Sequence, residues 1–349
     1  MKHRPRPTLR IFAVATAAIA MLALSACGSD SKSSSSSTTA SSTDAPKSIT
    51  IGYQQIPNGD LIVKHEKLLE TAFPGTTINW KLFDSGGSVN EAILAGGIDI
   101  GLVGSSPASR GISSGIPYQV PWIFDVIGKA EALVVKSGIS SISDLRGKTV
   151  ATPFASTAHF SLLAALKDAG LSDKDVKVID AEPDAILAAW QQGSIDGAYV
   201  WNPNLAKIKA AGGTVLITSA DLAKKGKTTY DLAVVTNDFA KKYPGAVKTW
   251  LTQQNAAIET ITNQPDKAAK AIAAELNISE ADARSQLADL IFVDAKQQVQ
   301  AEYLGGGLAK NLYSAALFNK ALGKIPAVKD EAAYQGAVVS SFAQQVAGQ

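Results

Sequence analysis

From residue 48 onward the chain alternates short apolar runs with longer stretches in which apolar residues recur every three or four positions. The runs at 49–53, 77–83 and 98–103 read as strands, and the stretches at 61–72 and 88–94 as helices, the first of them ended by Phe73-Pro74-Gly75. A further helix begins after Ser106 and stops before Ile116-Pro117. The middle of the chain repeats the plan. A strand at 148–152 leads into an amphipathic helix that Ser156 opens and Gly170 ends, followed by a strand at 176–180, a helix at 184–192 and a strand at 197–200. From Asn237 to the end the pattern is largely helical. Strands and helices that alternate through short links predict an α/β protein whose sheets are mainly parallel and flanked by helices.

Two hexapeptides a hundred residues apart echo each other, "EALVVK" at 131–136 and "DLAVVT" at 231–236. Each is an apolar strand opened by a carboxylate, and together they bracket the middle segment. They are the natural places for the chain to pass from one lobe to a second and back. The expected organisation is one lobe from 48–132 and 234–349, and a second from 133–233.

The amino-terminal part reads differently. Lys2, Arg4, Arg6 and Arg10 precede an apolar run at 11–24, too short to span a membrane and flanked like a secretory signal. Leu24-Ser25-Ala26-Cys27 follows and looks like a bacterial lipobox, so cleavage before Cys27 and lipidation of Cys27 are expected. Cys27 is the only cysteine, which leaves it no disulfide partner. Residues 28–47 are a Ser/Thr tract with almost nothing to bury, a disordered tether by composition. Loss of 1–26 removes four basic residues and no acid, and takes the formal net charge from +2 to −2. The basic balance of the full chain therefore gives no reason to expect a nucleic-acid partner. The body left behind, roughly 300 residues, is long enough for two lobes with cores of their own.

Three predicted strand-to-helix corners carry hydroxyls: Ser85/Ser88, Ser105/Ser106 and Ser156/Thr157. A serine in such a corner can be a nucleophile, a plain helix cap, or a group that holds an anion together with free backbone N–H donors. A nucleophile needs a base, and beyond the signal segment the histidines are His65, mid-helix in "VKHEKLL", and His159. No Gly-x-Ser-x-Gly elbow, phosphate loop, dinucleotide fingerprint or Cys/His cluster is present, so neither catalysis nor a metal or cofactor is expected. Recurrence of the corners at the carboxyl ends of strands, where open α/β sheets take ligands, favours anion binding.

Seven segments carry a family resemblance: "IGYQQIPN", "FDSGGSV", "IDIGLVGSSP", "EALVVK", "DLRGKTVATPFASTAHFSLLAALKDAG", "AAWQQGSIDGAYVWNP" and "YDLAVV". In order and spacing over about residues 50–240 they resemble the solute-binding proteins of ABC importers for taurine and related sulfonates. The resemblance implies a two-lobed periplasmic-binding fold that closes on its ligand and presents it to a membrane permease. It implies a small sulfonate held by the serine corners. Its ammonium would face Asp231, with Glu131 as a second contact or hinge residue. Trp201 would cover the ethylene chain, with Trp122 a weaker candidate, and Gln54 and Asn58 would add hydrogen bonds from the first strand–helix loop. The same fold could instead take another sulfonate or a thiamine-pyrimidine precursor. A monomer anchored by lipid to the outer face of the cytoplasmic membrane is expected. Cys27→Ser should move the protein from the membrane to the soluble fraction; unchanged membrane association in a fractionation assay would refute the lipobox reading.

Overall fold

The computed structural model describes residues 45–348. The expected signal segment, Cys27 and most of the Ser/Thr tract lie outside the described residues. The last residues of the tract are already part of the fold: the Pro46 carbonyl accepts from Thr76 Oγ1 at 2.7 Å and the Lys47 carbonyl from the Thr77 N–H at 3.0 Å.

The described residues build two sheets. The first contains β1 (Ser48–Tyr53), β2 (Thr77–Leu82), β3 (Ile100–Gly104) and β4 (Tyr118–Ile127). The second contains β5 (Glu131–Val135), β6 (Thr149–Thr152), β7 (Lys177–Asp180), β8 (Gly197–Trp201) and β9 (Thr214–Thr218). The chain then returns to the first with β10 (Tyr230–Thr236) and β11 (Leu290–Ile291). The strand orders are β11-β4-β10-β3-β1-β2 and β7-β6-β8-β5-β9. Sheet membership changes at residues 128–130 and 224–229, so the two hexapeptide strands each lie wholly within one sheet beside a crossing.

The expectation of mainly parallel sheets needs correction, because each sheet is parallel in one part only. β2, β1 and β3 run together, as do β7, β6 and β8. β10 runs against both β3 and β4, and β5 against both β8 and β9. The cause is the connection. A helix crossover returns the chain to the start of the next strand and enforces parallel pairing. A strand entered directly from the other lobe begins at the end of the sheet where its neighbours finish. β4 went unseen because Pro121 interrupts its apolar run and a proline demotes a strand. It is tolerated here beside a register irregularity, where Ala233 faces Trp122 and Val235 faces Gln119. The helix expected over 61–72 is two, Gly59–His65 and Leu68–Ala72, parted at Lys67, whose φ is 52°.

Alternation along the strands sorts the cores. In the second sheet Leu133, Val135 and Tyr199 point to one apolar cluster, while Ala132, Val134, Ala198 and Val200 point to another. The first sheet and the carboxyl-terminal helices share one larger core that contains Trp122 and Trp250, both fully buried. Trp122, a weaker candidate for a ligand contact, thus packs the core.

One polar pair is sealed inside that first lobe. Asp60 is 1% exposed and accepts from Gln254 Nε2 at 2.6 Å, which joins helix Gly59–His65 to helix Pro244–Asn263. Asp60 Oδ2 and Gln254 Oε1 are both buried without a partner. A neutral carboxylic acid removes the charge penalty and gives this pair its missing donor, and burial pushes the Asp60 carboxyl up to about 7. Because this folded value lies above the unfolded one, stability is full below the unfolded pKa and falls as pH rises through about 7. The melting temperature of ligand-free protein should therefore fall between about pH 5 and pH 8. Asp60→Asn, which can form the same two-bond pair at any pH, should fall less; a steeper decline in that variant would count against a neutral Asp60.

Candidate functional site

Where the strand ends of the two sheets face each other lies a small cavity. Its wall on the first-sheet side includes Gln54, Gly86, Gly104, Pro107 and Asp231, and on the other side Glu131, Ser156, Thr157, Trp201 and Asn202. Ala130, from one crossing, closes it. Gly104 at the end of β3 is required by the approach of the lobes: a Cβ there would lie 2.5 Å from Thr157 Cγ2. Trp201 packs against both the first-lobe core and one core of the second lobe.

Six of the expected residues line this cavity: Gln54, Glu131, Ser156, Thr157, Trp201 and Asp231. Five do not, and the polar groups of these five are engaged within the protein, as are those of Gln54, Ser156 and Thr157 on the wall itself. Asn58 is buried, caps helix Gly59–His65 through the Asp60 N–H, and donates to Asp125 Oδ2 at 3.4 Å. Ser105 Oγ accepts from the Tyr230 N–H at 3.2 Å, and Ser106 Oγ from Asn319 Nδ2 at 3.5 Å. Ser88 Oγ donates to the Ser85 carbonyl at 2.9 Å, and Ser85 Oγ donates across the cleft to Glu182 Oε1 at 3.1 Å. The corners still reach the cavity, but through Gly86, Gly104 and Pro107. These residues open helices Gly86–Leu94 and Ser105–Ser114, and Thr157 opens helix Thr157–Asp168. The first N–H groups of a helix have no partner within it and carry the positive end of its dipole.

The opposite chemistry comes from two carboxylates. Antiparallel pairing sets Asp231 level with Gly104 of β3 and Asp125 of β4, and Glu131 level with Trp201 of β8. The first residues of β10 and β5 therefore stand at the ligand end of each sheet. Glu131 is held by three hydroxyls: Thr157 Oγ1 at 2.5 Å, Ser219 Oγ at 2.6 Å and Ser161 Oγ at 3.3 Å. Burial pushes it up to about 7 against those hydrogen bonds. Asp231 rises well above the carboxylate range through burial first, then through the charges of Asp125 and Glu131. Among the described residues, no Lys, Arg or His lines the cavity. The arrangement can hold a small molecule that is anionic at one end and cationic at the other.

Sequence reasoning missed Asp125 and Asn202. The signal for Asp125 was a single acid inside "VPWIFDVIG", an otherwise apolar run. Asn202 sits beside a recognised tryptophan and donates to Asp289 Oδ2 at 3.3 Å. Among the described residues, neither histidine ring hydrogen-bonds a serine of the three corners. His159 stacks on Phe154 with centroids 4.4 Å apart, its Nδ1 accepts from the Ala155 N–H at 3.3 Å, and burial pushes it down to about 4. His65 lies beside Glu275 Oε1 at 3.5 Å.

The chain is similar to several known proteins. The taurine-binding periplasmic protein of Escherichia coli (strain K12) is 36% identical over 304 residues, which is 85% of this chain and 93% of the relative. The alkanesulfonate-binding protein SsuA of Xanthomonas axonopodis pv. citri, solved bound to MOPS, superposes with a TM-score of 0.73 over 85% of this chain and all of its own, at 23% identity. The periplasmic aliphatic sulphonate-binding protein SsuA of Escherichia coli gives a TM-score of 0.67 at 25% identity, over 83% of this chain and 92% of its own. The model of the NMT1-like family matches residues 42–279. With that match covering well over half the sequence, beside so extensive a likeness to a periplasmic binding protein, the chain belongs to the NMT1-like family and is a solute-binding protein rather than an enzyme.

Proposed function

We propose that the chain is an extracytoplasmic solute-binding lipoprotein that captures taurine between its two lobes and delivers it to an ABC permease. The observation that carries the reading is the pair of buried carboxylates, Glu131 and Asp231, in a cavity whose lining holds no basic side chain. A buried carboxylate without a cation is costly, and an ammonium supplied by the ligand removes that cost. Helix N-termini at Gly86, Gly104 and Thr157 would receive the sulfonate. Each such end contributes about 0.3–1 kcal/mol toward an anion, so several together serve without a full positive charge. The likeness to the taurine-binding protein supports the same ligand.

Closure would follow from the ligand touching both walls. A molecule held by Asp231 from the first lobe and by Thr157 and Trp201 from the second stabilises the closed arrangement by its differential contacts there. Lipidation of Cys27 would tether this body to the outer face of the membrane, beside the permease. Among the described residues no helix is long and apolar enough to cross a membrane. An amine-free sulfonate, or a thiamine-pyrimidine precursor, would have to leave one carboxylate uncompensated or neutralise it.

Asp231→Asn keeps the shape and removes the charge of a hydrogen bond that contributes roughly 1.5–3 kcal/mol. Taurine affinity should fall about ten- to a hundredfold. Ethanesulfonate, which lacks the amine, should bind as before or more tightly. Calorimetric titration of both ligands reads the contrast, and equal losses for the two would assign Asp231 to the fold instead of to the ammonium.

A further inference from the structure

Asp125 lies behind the cavity wall. It is fully buried and directly opposite Asp231 in the β4–β10 pairing, which makes the two carboxyl groups neighbours. Its two oxygens differ. Asn58 caps a helix with its own Oδ1, which turns its Nδ2 toward Asp125, and Asp125 Oδ2 accepts from it at 3.4 Å. Asp125 Oδ1 is buried with no donor to it. The remaining charged group that faces the pair is Glu131 of β5, whose oxygens already receive three hydroxyl donors. Two carboxylates in contact, away from water and with no cation, cannot both be ionised.

We propose that Asp125 and Asp231 share one proton, and that Asp125 Oδ1 takes it when a ligand ammonium reaches Asp231, so that Asp125 becomes a neutral donor that aims the Asp231 carboxylate into the cavity. The step is balanced within the pair. One O–H bond on Asp231 breaks and one on Asp125 forms, the pair keeps a single negative charge, and no proton enters from solvent. In the empty cavity Asp125 receives the Asn58 amide, which favours its charged form, while burial pushes Asp231 up, so the proton rests on Asp231. A cation against Asp231 reverses that preference. Asp125 is thus a positioning residue for the amine end of the ligand, an inference that rests on the proposed amine-bearing ligand.

The test uses Asp125→Asn and Asp125→Ala in the full chain, titrated with taurine and with ethanesulfonate. An asparagine can accept from Asn58 through Oδ1 and donate to Asp231 through Nδ2, so Asp125→Asn should bind taurine within about threefold of the parent protein. Asp125→Ala should lose taurine affinity about tenfold or more and ethanesulfonate affinity little. Equal losses of taurine binding in the two variants would mean that the charge of Asp125 matters and would overturn the proposal. Equal losses of both ligands in Asp125→Ala would reduce Asp125 to a structural residue. A ligand-free measurement separates this proposal from the choice of ligand: the infrared spectrum of the empty parent protein should contain one protonated-carboxyl band that Asp125→Asn shifts or abolishes. If taurine does not bind at all but that band is shifted or lost, the ligand assignment fails and the shared proton stands; if the band is unchanged, the shared proton fails.

Discussion

Both sheets depend on one strand that runs against its neighbours. β5 and β10 are entered directly from the opposite lobe, so they begin where the parallel strands end. That reversal brings Glu131 and Asp231 to the same edge as the helix N-termini that follow the parallel strands. Had either strand been parallel, its leading carboxylate would stand at the far side of the sheet. The position of the crossings, more than any single side chain, gives each wall of the cavity a carboxylate beside helix N-termini.

The buried acids carry an energetic cost in the empty protein. Asp125, Glu131 and Asp231 are all buried, and hydroxyl and amide donors offset only part of the penalty. Natural proteins keep such imbalances where a ligand completes them. The hydroxyls of Thr157, Ser161 and Ser219 fix Glu131 without neutralising it, which leaves room for a cation to do so. Asp60 resembles these acids in burial and in its upward shift, yet its partner Gln254 is an amide within the core and it lies off the cavity wall. Burial alone does not mark a binding group; burial beside an open cavity does.

Much of this was legible in the residues. Regular alternation exposed β1, β3 and β6 with the helices after them, and β8, and the two carboxylate-led hexapeptides stood out as beginnings of strands. β4 was hidden by Pro121, and with it went Asp125, since an acid between elements gives no reason to suspect burial. Pairing direction is a property of the route between lobes, which local periodicity does not encode. The serine corners illustrate a second limit. Sequence places a hydroxyl at a helix start, but whether it turns toward the cavity depends on neighbours far along the chain. Tyr230 claims Ser105, Asn319 lies against Ser106, and Glu182 of the other lobe receives the Ser85 hydroxyl.

Trp201 lines the cavity and packs on apolar clusters of both lobes. Separation of the lobes must strip one side of its indole, whatever the path of opening. Trp122 and Trp250 are sealed in the first-lobe core, and Trp190 belongs to a cluster made only of second-lobe residues. Trp80 lies against the first-lobe core alone. Four of the five tryptophans therefore form a steady background, and the fifth reports from the cleft, so the protein carries an intrinsic optical gauge of how far it is shut.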